Sequence, residues 1–406
     1  MRKVPELRFD GFDGEWEEVQ LGIEADVRDG THDSPKYVNN GYPLITSKNI
    51  VNGKLDFEDI SFISEEDFYL INKRSKVDIG DIIMPMIGTI GNPIILNRDD
   101  FAIKNVALIK KSNNLNNQFL LNLLNSKVFS RYLYRKNAGG TQKFIALGMI
   151  REFLFNRPTI EEQEKIGDLF RKIDALIEIQ EGKVSKMEDF KKSMLQKMFP
   201  KKDELVPEFR FDGFDGEWKS SKLKHIGIVK SGVGFPEKFQ GGISGIPFFK
   251  VSDMNLGSNN IIMKNAQNYV SESDIITNKW NVITDRPAII FAKVGAAIFL
   301  ERKRIVTEDF LIDNNMMAFI PKVKSDLYFL KVFLDTTRLA KYAQSGALPS
   351  YNANDIYSIP INLPSLEEQE KIGNFFKNLD TQIETEEKLL DSYKNMKKSL
   401  LQKMFV

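Results

Sequence analysis

Three motifs in this chain of 406 residues occur twice, in the same order, at a spacing of roughly 200 residues. Pro5-Glu6-Leu7-Arg8-Phe9-Asp10-Gly11-Phe12-Asp13-Gly14-Glu15-Trp16 returns at Pro207–Trp218 with one change, Phe209 for Leu7. Glu161-Glu162-Gln163-Glu164-Lys165-Ile166-Gly167 returns unchanged at Glu367–Gly373, and Leu195-Gln196-Lys197-Met198-Phe199 at Leu401–Phe405. A repeat of this length is a whole domain and not one turn of a solenoid, so the chain is a duplication. Its segments are a block at 1–18, a domain at 19–157, a helix at 158–200, a linker with the second block at 201–218, a domain at 219–363 and a helix at 364–406.

Both helical segments open on a proline and a capping box, Pro158-Thr159-x-x-Glu162 and Pro364-Ser365-x-x-Glu368. There the hydroxyl accepts from a free backbone N–H and the glutamate reaches back to the cap. Ile166, Phe170, Ile173, Ile177, Val184 and Met187 recur at spacings of three, four and seven in the first. Ile372, Phe376, Leu379, Ile383, Leu390 and Tyr393 repeat them in the second. That is a coiled-coil seam, interrupted at matching places by Gln180 with Glu386 and by Lys191 with Lys397. The bland alternative is a pair of amphipathic helices lying on globular domains. A helix over 160–198 is roughly 58 Å long. Chain order favours antiparallel pairing, which places the second helix's end beside the first block and makes the arrangement cyclic, with a pseudo-twofold axis.

The domains are mixed α/β (α+β). The first shows strand-like runs at Pro43–Thr46, Asp81–Met84, Pro93–Leu96 and Ala107–Ile109, with a helix over Gln118–Tyr134. The second repeats the order at Pro247–Lys250, Ala288–Phe291, Ala297–Leu300 and Met317–Ile320, with a helix over Asp326–Ala343. The outline is shared and the sequence is not. Readers of two different targets would diverge in this way, and so would neutral drift after duplication.

Composition removes several chemistries. There is no cysteine, hence no disulfide, thiolate nucleophile or cysteine-bound metal. With neither an apolar run of membrane-spanning length nor a signal-like start, the expected location is cytoplasmic, off the membrane. No phosphate-binding glycine loop, dinucleotide fingerprint, Asn/Asp-Pro-Pro-Tyr run or His-Glu-x-x-His occurs. The chain is therefore expected to be non-catalytic, with no metal and no cofactor of its own. The Asp-Gly-Phe-Asp-Gly blocks lack the alternating ligands of a calcium loop and read as turns with a packed Trp16 or Trp218. Residues 19–150 hold 16 Lys/Arg against 14 Asp/Glu, and residues 220–356 hold 17 against 12. Mildly basic domains joined by neutral or acidic struts are consistent with nucleic acid as partner.

These motifs resemble the conserved regions of type I restriction–modification specificity subunits. Gly-Thr-His-x-x-Pro-Lys-Tyr at Gly30–Tyr37 and Gly-Ile-Pro-Phe-Phe-Lys-Val-Ser-Asp-Met at Gly245–Met254 carry the same resemblance. The resemblance implies two target-recognition domains, each reading half of a bipartite site in double-stranded DNA. It implies that the helices set the spacer between the halves. It implies one copy of this chain with two methyltransferase subunits, which bind S-adenosylmethionine and methylate adenine N6. Two restriction subunits using ATP and Mg would join that core. A coiled-coil scaffold whose domains bind proteins is the alternative, and an enzyme the third reading.

Reading DNA needs cations or N–H groups for phosphates and forked or amide side chains for bases. In the first domain the candidates are Thr31, His32, Ser34, Lys36, Tyr37, Lys48 and Asn49, with the loop residues Gly140, Thr141, Gln142 and Lys143. The second domain offers Phe235, Lys238, Phe239, Lys250, Ser252, Asp253 and Asn255, with Gly346, Ser350, Tyr351 and Asn352. Arg302, Lys303 and Arg304 are phosphate candidates or a solvated hairpin turn. Tyr37 and Phe249 are alternatively core. The Trp16 and Trp218 blocks and the exposed helix faces are candidate docking surfaces for the methylating partner.

Overall fold

The computed structural model describes residues 3–51, 53–88, 91–136, 144–344 and 348–406. The chain divides into two compact units, the first made of 1–181 with 388–406 and the second of 182–387.

In the first unit a four-stranded antiparallel sheet runs in the order Val27–Asp29, Val106–Ile109, Ile82–Pro85, Ile94–Ile95. Its two central strands are buried along their whole length. Ile82, Met84, Ala107 and Ile109 point to one core, and Ile83, Val106 and Leu108 to another. This is why these strands read as unbroken apolar runs. A second, mixed sheet orders Ala102–Ile103, Tyr42–Ile45, Ser61–Ile63 and Tyr37–Val38.

The second unit repeats the plan. Gly227–Ser231, Met316–Pro321, Ala288–Ala292 and Lys303–Val306 form the antiparallel sheet, and Tyr269–Val270, Ile246–Phe249 and Leu311–Ile312 the small mixed one. Each unit also has a two-stranded ribbon that joins its block to its long helix. Glu17–Gln20 pairs with Leu154–Arg157, and Lys219–Lys222 with Pro360–Leu363.

Two helix expectations change. The run Gln118–Tyr134 is two helices, Asn117–Asn125 and Lys127–Lys136. Ser126 breaks it: its hydroxyl donates to Leu123 O (2.7 Å) and accepts from Val128 N (3.1 Å), the local competition that makes serine a helix interrupter. In the second unit the helix stops at Thr336, whose hydroxyl donates to Phe333 O (2.7 Å), and a short 3-10 turn follows at Leu339–Tyr342. Ala297–Leu300, expected as a strand, lies in a 3-10 turn over Ala296–Leu300 that starts at Gly295 with φ +77°.

The long helices span Ile160–Lys197 and Leu366–Lys403. Every named seam residue is buried or half-buried. Within each unit the two helical segments run in opposite senses. In the first, Asp174 pairs with Lys397 (2.5 Å) and Glu181 with Lys394 (2.7 Å). In the second, Lys183 pairs with Glu386 (2.7 Å) and Lys191 with Asp380 (2.5 Å). The matching lysines that interrupt the seam thus make matching ion pairs, Lys191 to Asp380 and Lys397 to Asp174.

The repeated motifs meet in one place in each unit. In the first unit Phe119 lies 6.1 Å from Trp16 and 5.4 Å from Phe405, which lies 5.9 Å from Phe170. In the second, Phe329 lies 5.9 Å from Trp218 and 5.5 Å from Phe199, which lies 6.4 Å from Phe376. Phe209 N donates to Lys197 O (2.8 Å) just before it in the chain, and Leu7 N donates to Lys403 O (3.0 Å) from the far end of the sequence. The first unit therefore takes its helix end from residues 401–405 where the second takes 195–199. Both ends of the chain thus meet inside the first unit, as the order of motifs suggests.

The Glu-Glu-Gln-Glu-Lys-Ile-Gly motif explains itself here. Glu162 and Glu368 are buried and accept two bonds each from Arg8 and Arg210. Gln163 accepts from Asn116 N (2.9 Å), and Gln369 from Asp326 N (3.2 Å). Asn116 and Asp326 cap the next helix, and each cap carboxyl or amide oxygen lies against a glycine of the motif. A Cβ on Gly167 would stand 2.7 Å from Asn116 Oδ1, and one on Gly373 2.0 Å from Asp326 Oδ1.

Candidate nucleic-acid interface

In both units the first strand of the main sheet ends at a glycine pressed against a neighbouring strand. A Cβ at Gly30 would stand 2.4 Å from Ile103 O, and one at Gly232 1.8 Å from Asp313 O. The close approach lets Gly30 N donate to Val106 O (2.9 Å) and Thr31 N to Ile103 O (3.0 Å). Gly232 N donates likewise to Met316 O (3.1 Å) and Val233 N to Ile312 O (2.9 Å). The loop that follows is launched from a fixed base in each unit, and its side chains differ.

In the first unit this loop is polar and exposed. His32, Ser34, Lys36 and Tyr37 face solvent and Thr31 is half-buried, so Tyr37 is surface and not core. His32 is held at both ring nitrogens, Nε2 at 2.8 Å from Asp29 Oδ2 and Nδ1 at 2.8 Å from Asn105 Oδ1. Arg74 donates to the other Asp29 oxygen. The hydrogen bond to Asp29, seconded by Asn105, raises the His32 pKa above its ordinary value. Burial alone would raise the Asp29 carboxyl, but the His32 bond and the Arg74 charge outweigh it and hold it below the usual range. Lys36 N donates to Asp67 Oδ2 (2.7 Å), which pins the loop to the helix Glu65–Ser75 and leaves the ammonium outside.

In the second unit the loop is anchored by aromatic packing. Phe235 stacks on Phe248 at 3.7 Å, and Phe239 meets Trp280 edge-on at 5.5 Å. Both are half-buried, while Lys238 is exposed with its Nζ 4.8 Å above the Phe239 ring. Lys250 Nζ donates to Gln240 Oε1 (3.0 Å), and Ser252 and Asn255 are exposed. Phe249 is core.

Several expected contacts are inside the protein. Asn49 is 2% exposed; it accepts from Thr46 N (3.0 Å) and donates to Asp56 O (3.2 Å) and Asp59 O (3.3 Å). Asp253 is its counterpart, fully buried, accepting from Lys250 N (2.7 Å) and Gln267 N (3.0 Å). Both organise a 3-10 turn and present nothing to a ligand. Lys48 stays exposed, paired with Asp59 (2.9 Å).

The Arg302–Arg304 run is not a solvated turn, and only Lys303 is withdrawn from the surface. It enters the strand Lys303–Val306, where Lys303 is 1% exposed and bonded to Glu301 (2.6 Å) and Thr337 O (3.2 Å). Burial lowers the Arg304 pKa, and Arg302 donates to Asn255. Tyr351 is core, Ser350 is half-buried, and Asn352 caps the helix Ala353–Tyr357 by accepting from Asn354 N (2.8 Å) and Asp355 N (3.2 Å). Gly140, Thr141, Gln142, Lys143 and Gly346 lie outside the described residues. Trp16 and Trp218 are each 2% exposed and belong to the core, while much of each block around them is exposed.

One feature that sequence reasoning passed over is the helix Lys127–Lys136, whose ten residues carry four cations and no acid. Its signal was present as Lys127, Arg131 and Arg135 at spacings of four, hidden inside a longer apolar helix reading. Among the described residues no group of His, Asp and Glu is placed to hold a metal, and no helix is long and apolar enough to cross a membrane.

Two units of one plan, each with a fixed base and a loop of different chemistry, define a duplicated binding protein. The chain belongs to the type I restriction–modification specificity family: the "Type I restriction modification DNA specificity domain" matches residues 13–189 and again 215–394. It is 29% identical to the type I restriction enzyme MjaVIII specificity subunit of Methanocaldococcus jannaschii over 192 residues, covering 45% of this chain and 44% of that protein. It is 23% identical to the putative MjaX specificity subunit of the same organism, over 95% of this chain and 92% of that one. In fold it is similar to the S subunit of a type I restriction–modification system from M. genitalium, with a TM-score of 0.64, 16% identity and 99% of both chains covered. A solved structure described under complex assembly and conformational transition of the type I R-M system is similar at a TM-score of 0.56 and 16% identity, covering 95% of this chain and 96% of that one.

Proposed function

We propose that each unit reads one half of a two-part DNA sequence and that the long helices fix the number of unread base pairs between the halves. The chain is a non-catalytic adaptor in this reading. Its methyltransferase partners bring S-adenosylmethionine and methylate adenine at N6, and its restriction partners bring ATP and Mg. An adenine must leave the base stack to be methylated, so the methylating subunit sits beside the reader.

The observation that carries the reading is the pairing of identical frames with different loops. The motif cluster around Trp16 and that around Trp218 make matching contacts motif for motif. The loops launched from Gly30 and Gly232 do not: one presents His32, Ser34, Lys36 and Tyr37, the other Lys238 over a packed Phe239. Selection for two half-sites would hold the frame and vary the loops. Half-sites read from one face of duplex DNA lie about 34–36 Å apart, a span that a helix of about 58 Å accommodates.

Methylome sequencing of a host expressing this chain with its methyltransferase partners tests the reading. The expected result is N6-methyladenine in a motif of two short specified parts separated by a fixed unspecified gap. A continuous motif, or no methylation from partners that assemble with the chain, would contradict it.

A further inference from the structure

The helix Lys127–Lys136 of the first unit buries Phe129 and Leu133, with Val128 and Tyr132 packed against the same core. Its other face carries Lys127, Arg131 and Arg135, all exposed and each four residues from the next. Four residues of helix rise about 6 Å, so the three cations form a row of about 12 Å. None of the three has a hydrogen-bond or ion-pair partner among the described residues, although most exposed cations nearby do, such as Lys136 with Glu152 at 3.1 Å. Like charges at this spacing destabilise a helix, and although the dipole favours Arg135 in the last turn, it disfavours Lys127 in the first. Helix stability therefore does not account for the row. Ser130 and Tyr134, the latter 80% exposed, complete a shallow open groove of about 460 Å³ lined by these five residues alone.

We propose that this row binds the phosphate backbone of duplex DNA, as a sequence-independent grip of the first unit. The proposal rests on the DNA-reading function above. A row of unpaired cations on a rigid helix, with an exposed phenol among them, matches the donors that contact phosphates without reading bases. The second unit offers a weaker version. There the place after the helix Leu327–Thr336 is a 3-10 turn, with Arg338 and Lys341 exposed. The grip is thus unequal between the two halves.

The test is equilibrium binding of the full-length chain, and of its complex with the methyltransferase partners, to a mixed-sequence 40-base-pair duplex between 50 and 200 mM salt. Each phosphate contact contributes about 0.9 to the slope of log K against log salt. Neutralising all three cations (Lys127→Gln, Arg131→Gln, Arg135→Gln) is expected to lower that slope by about 2 to 3, with a urea midpoint that does not fall and with unchanged assembly. Arg131→Lys should keep the slope. If the natural chain shows a steep salt dependence and the triple variant shows the same one, the row is not a DNA grip although the chain binds DNA. Loss of assembly with an unchanged slope would also overturn the proposal, by assigning the row to a protein partner. If the natural chain and complex show no salt-dependent duplex binding, the DNA-reading function itself fails.

Discussion

Arg8 closes on Glu162 through two parallel hydrogen bonds, Nε to Oε1 and Nη2 to Oε2, each 2.8 Å, and its remaining Nη1 donates to Gly14 O at 2.7 Å. Arg210 does the same to Glu368 at 2.7 Å and to Gly216 O at 2.6 Å. One guanidinium thus ties the first repeated motif to the second in each unit.

Both glutamates are almost fully buried, so removing the arginine leaves a carboxylate uncompensated in the core. Arg8→Ala and Arg210→Ala are each expected to destabilise their own unit by about 3–5 kcal/mol in urea unfolding. Lysine restores little, because a point charge cannot make the forked contact. A loss below 1 kcal/mol would mean that the motif is held by its apolar residues alone.

Gly373 leaves room for the Asp326 cap of the helix Leu327–Thr336. Gly373→Ala forces the cap to move and should cost about 1–3 kcal/mol by overpacking. Because the clash is with Asp326 itself, Gly373→Ala and Asp326→Ala together should cost less than their sum. Strict additivity in the double-mutant cycle would contradict the contact.

The chain has two histidines, so each can be followed alone by NMR. His32 is expected to titrate above the ordinary histidine value of about 6.5 because Asp29 accepts from its ring. A raised folded-state pKa means that the contribution of His32 to stability is fully present below about 6.5. It is lost as pH rises through the higher folded value. Asp29→Asn should bring the His32 titration back down, and an unchanged midpoint would remove Asp29 as the cause.

Lys36 is exposed, and only its backbone N–H is engaged in holding the loop. Lys36→Ala should therefore leave the unfolding midpoint unchanged. It should weaken duplex binding and lower the salt slope by about 1, the signature of one phosphate contact. Normal affinity and slope would take Lys36 off the reading surface.

The frame was legible in the sequence because it is written twice. Exact recurrence located the motifs, and the heptads of Ile166 to Met187 and Ile372 to Tyr393 located the helices. The order of motifs alone implied that the block at Leu7 meets the helix end at Lys403. The reading surface was much less legible. Asn49, Asp253, Lys303 and Tyr351 have the right chemistry for contacting DNA, but the fold turns them inward, and side-chain direction in irregular loops has no period to read. Ser126 breaks a helix whose apolar residues continue through it, which hid the separate basic helix after it. The bond from Arg8 to Glu162 spans 154 positions and leaves no local trace.

The central claim is that the helices are a ruler, and changing their length tests it most directly. One heptad inserted after Glu181 and one after Glu387 keeps the seam in phase and lengthens each helix by about 10 Å. At 3.4 Å per base pair this is about three base pairs. Methylome sequencing of a host carrying the extended chain and its partners should return the same two half-sites with the gap longer by about three. An unchanged gap, in a complex that still assembles and methylates, would contradict the account.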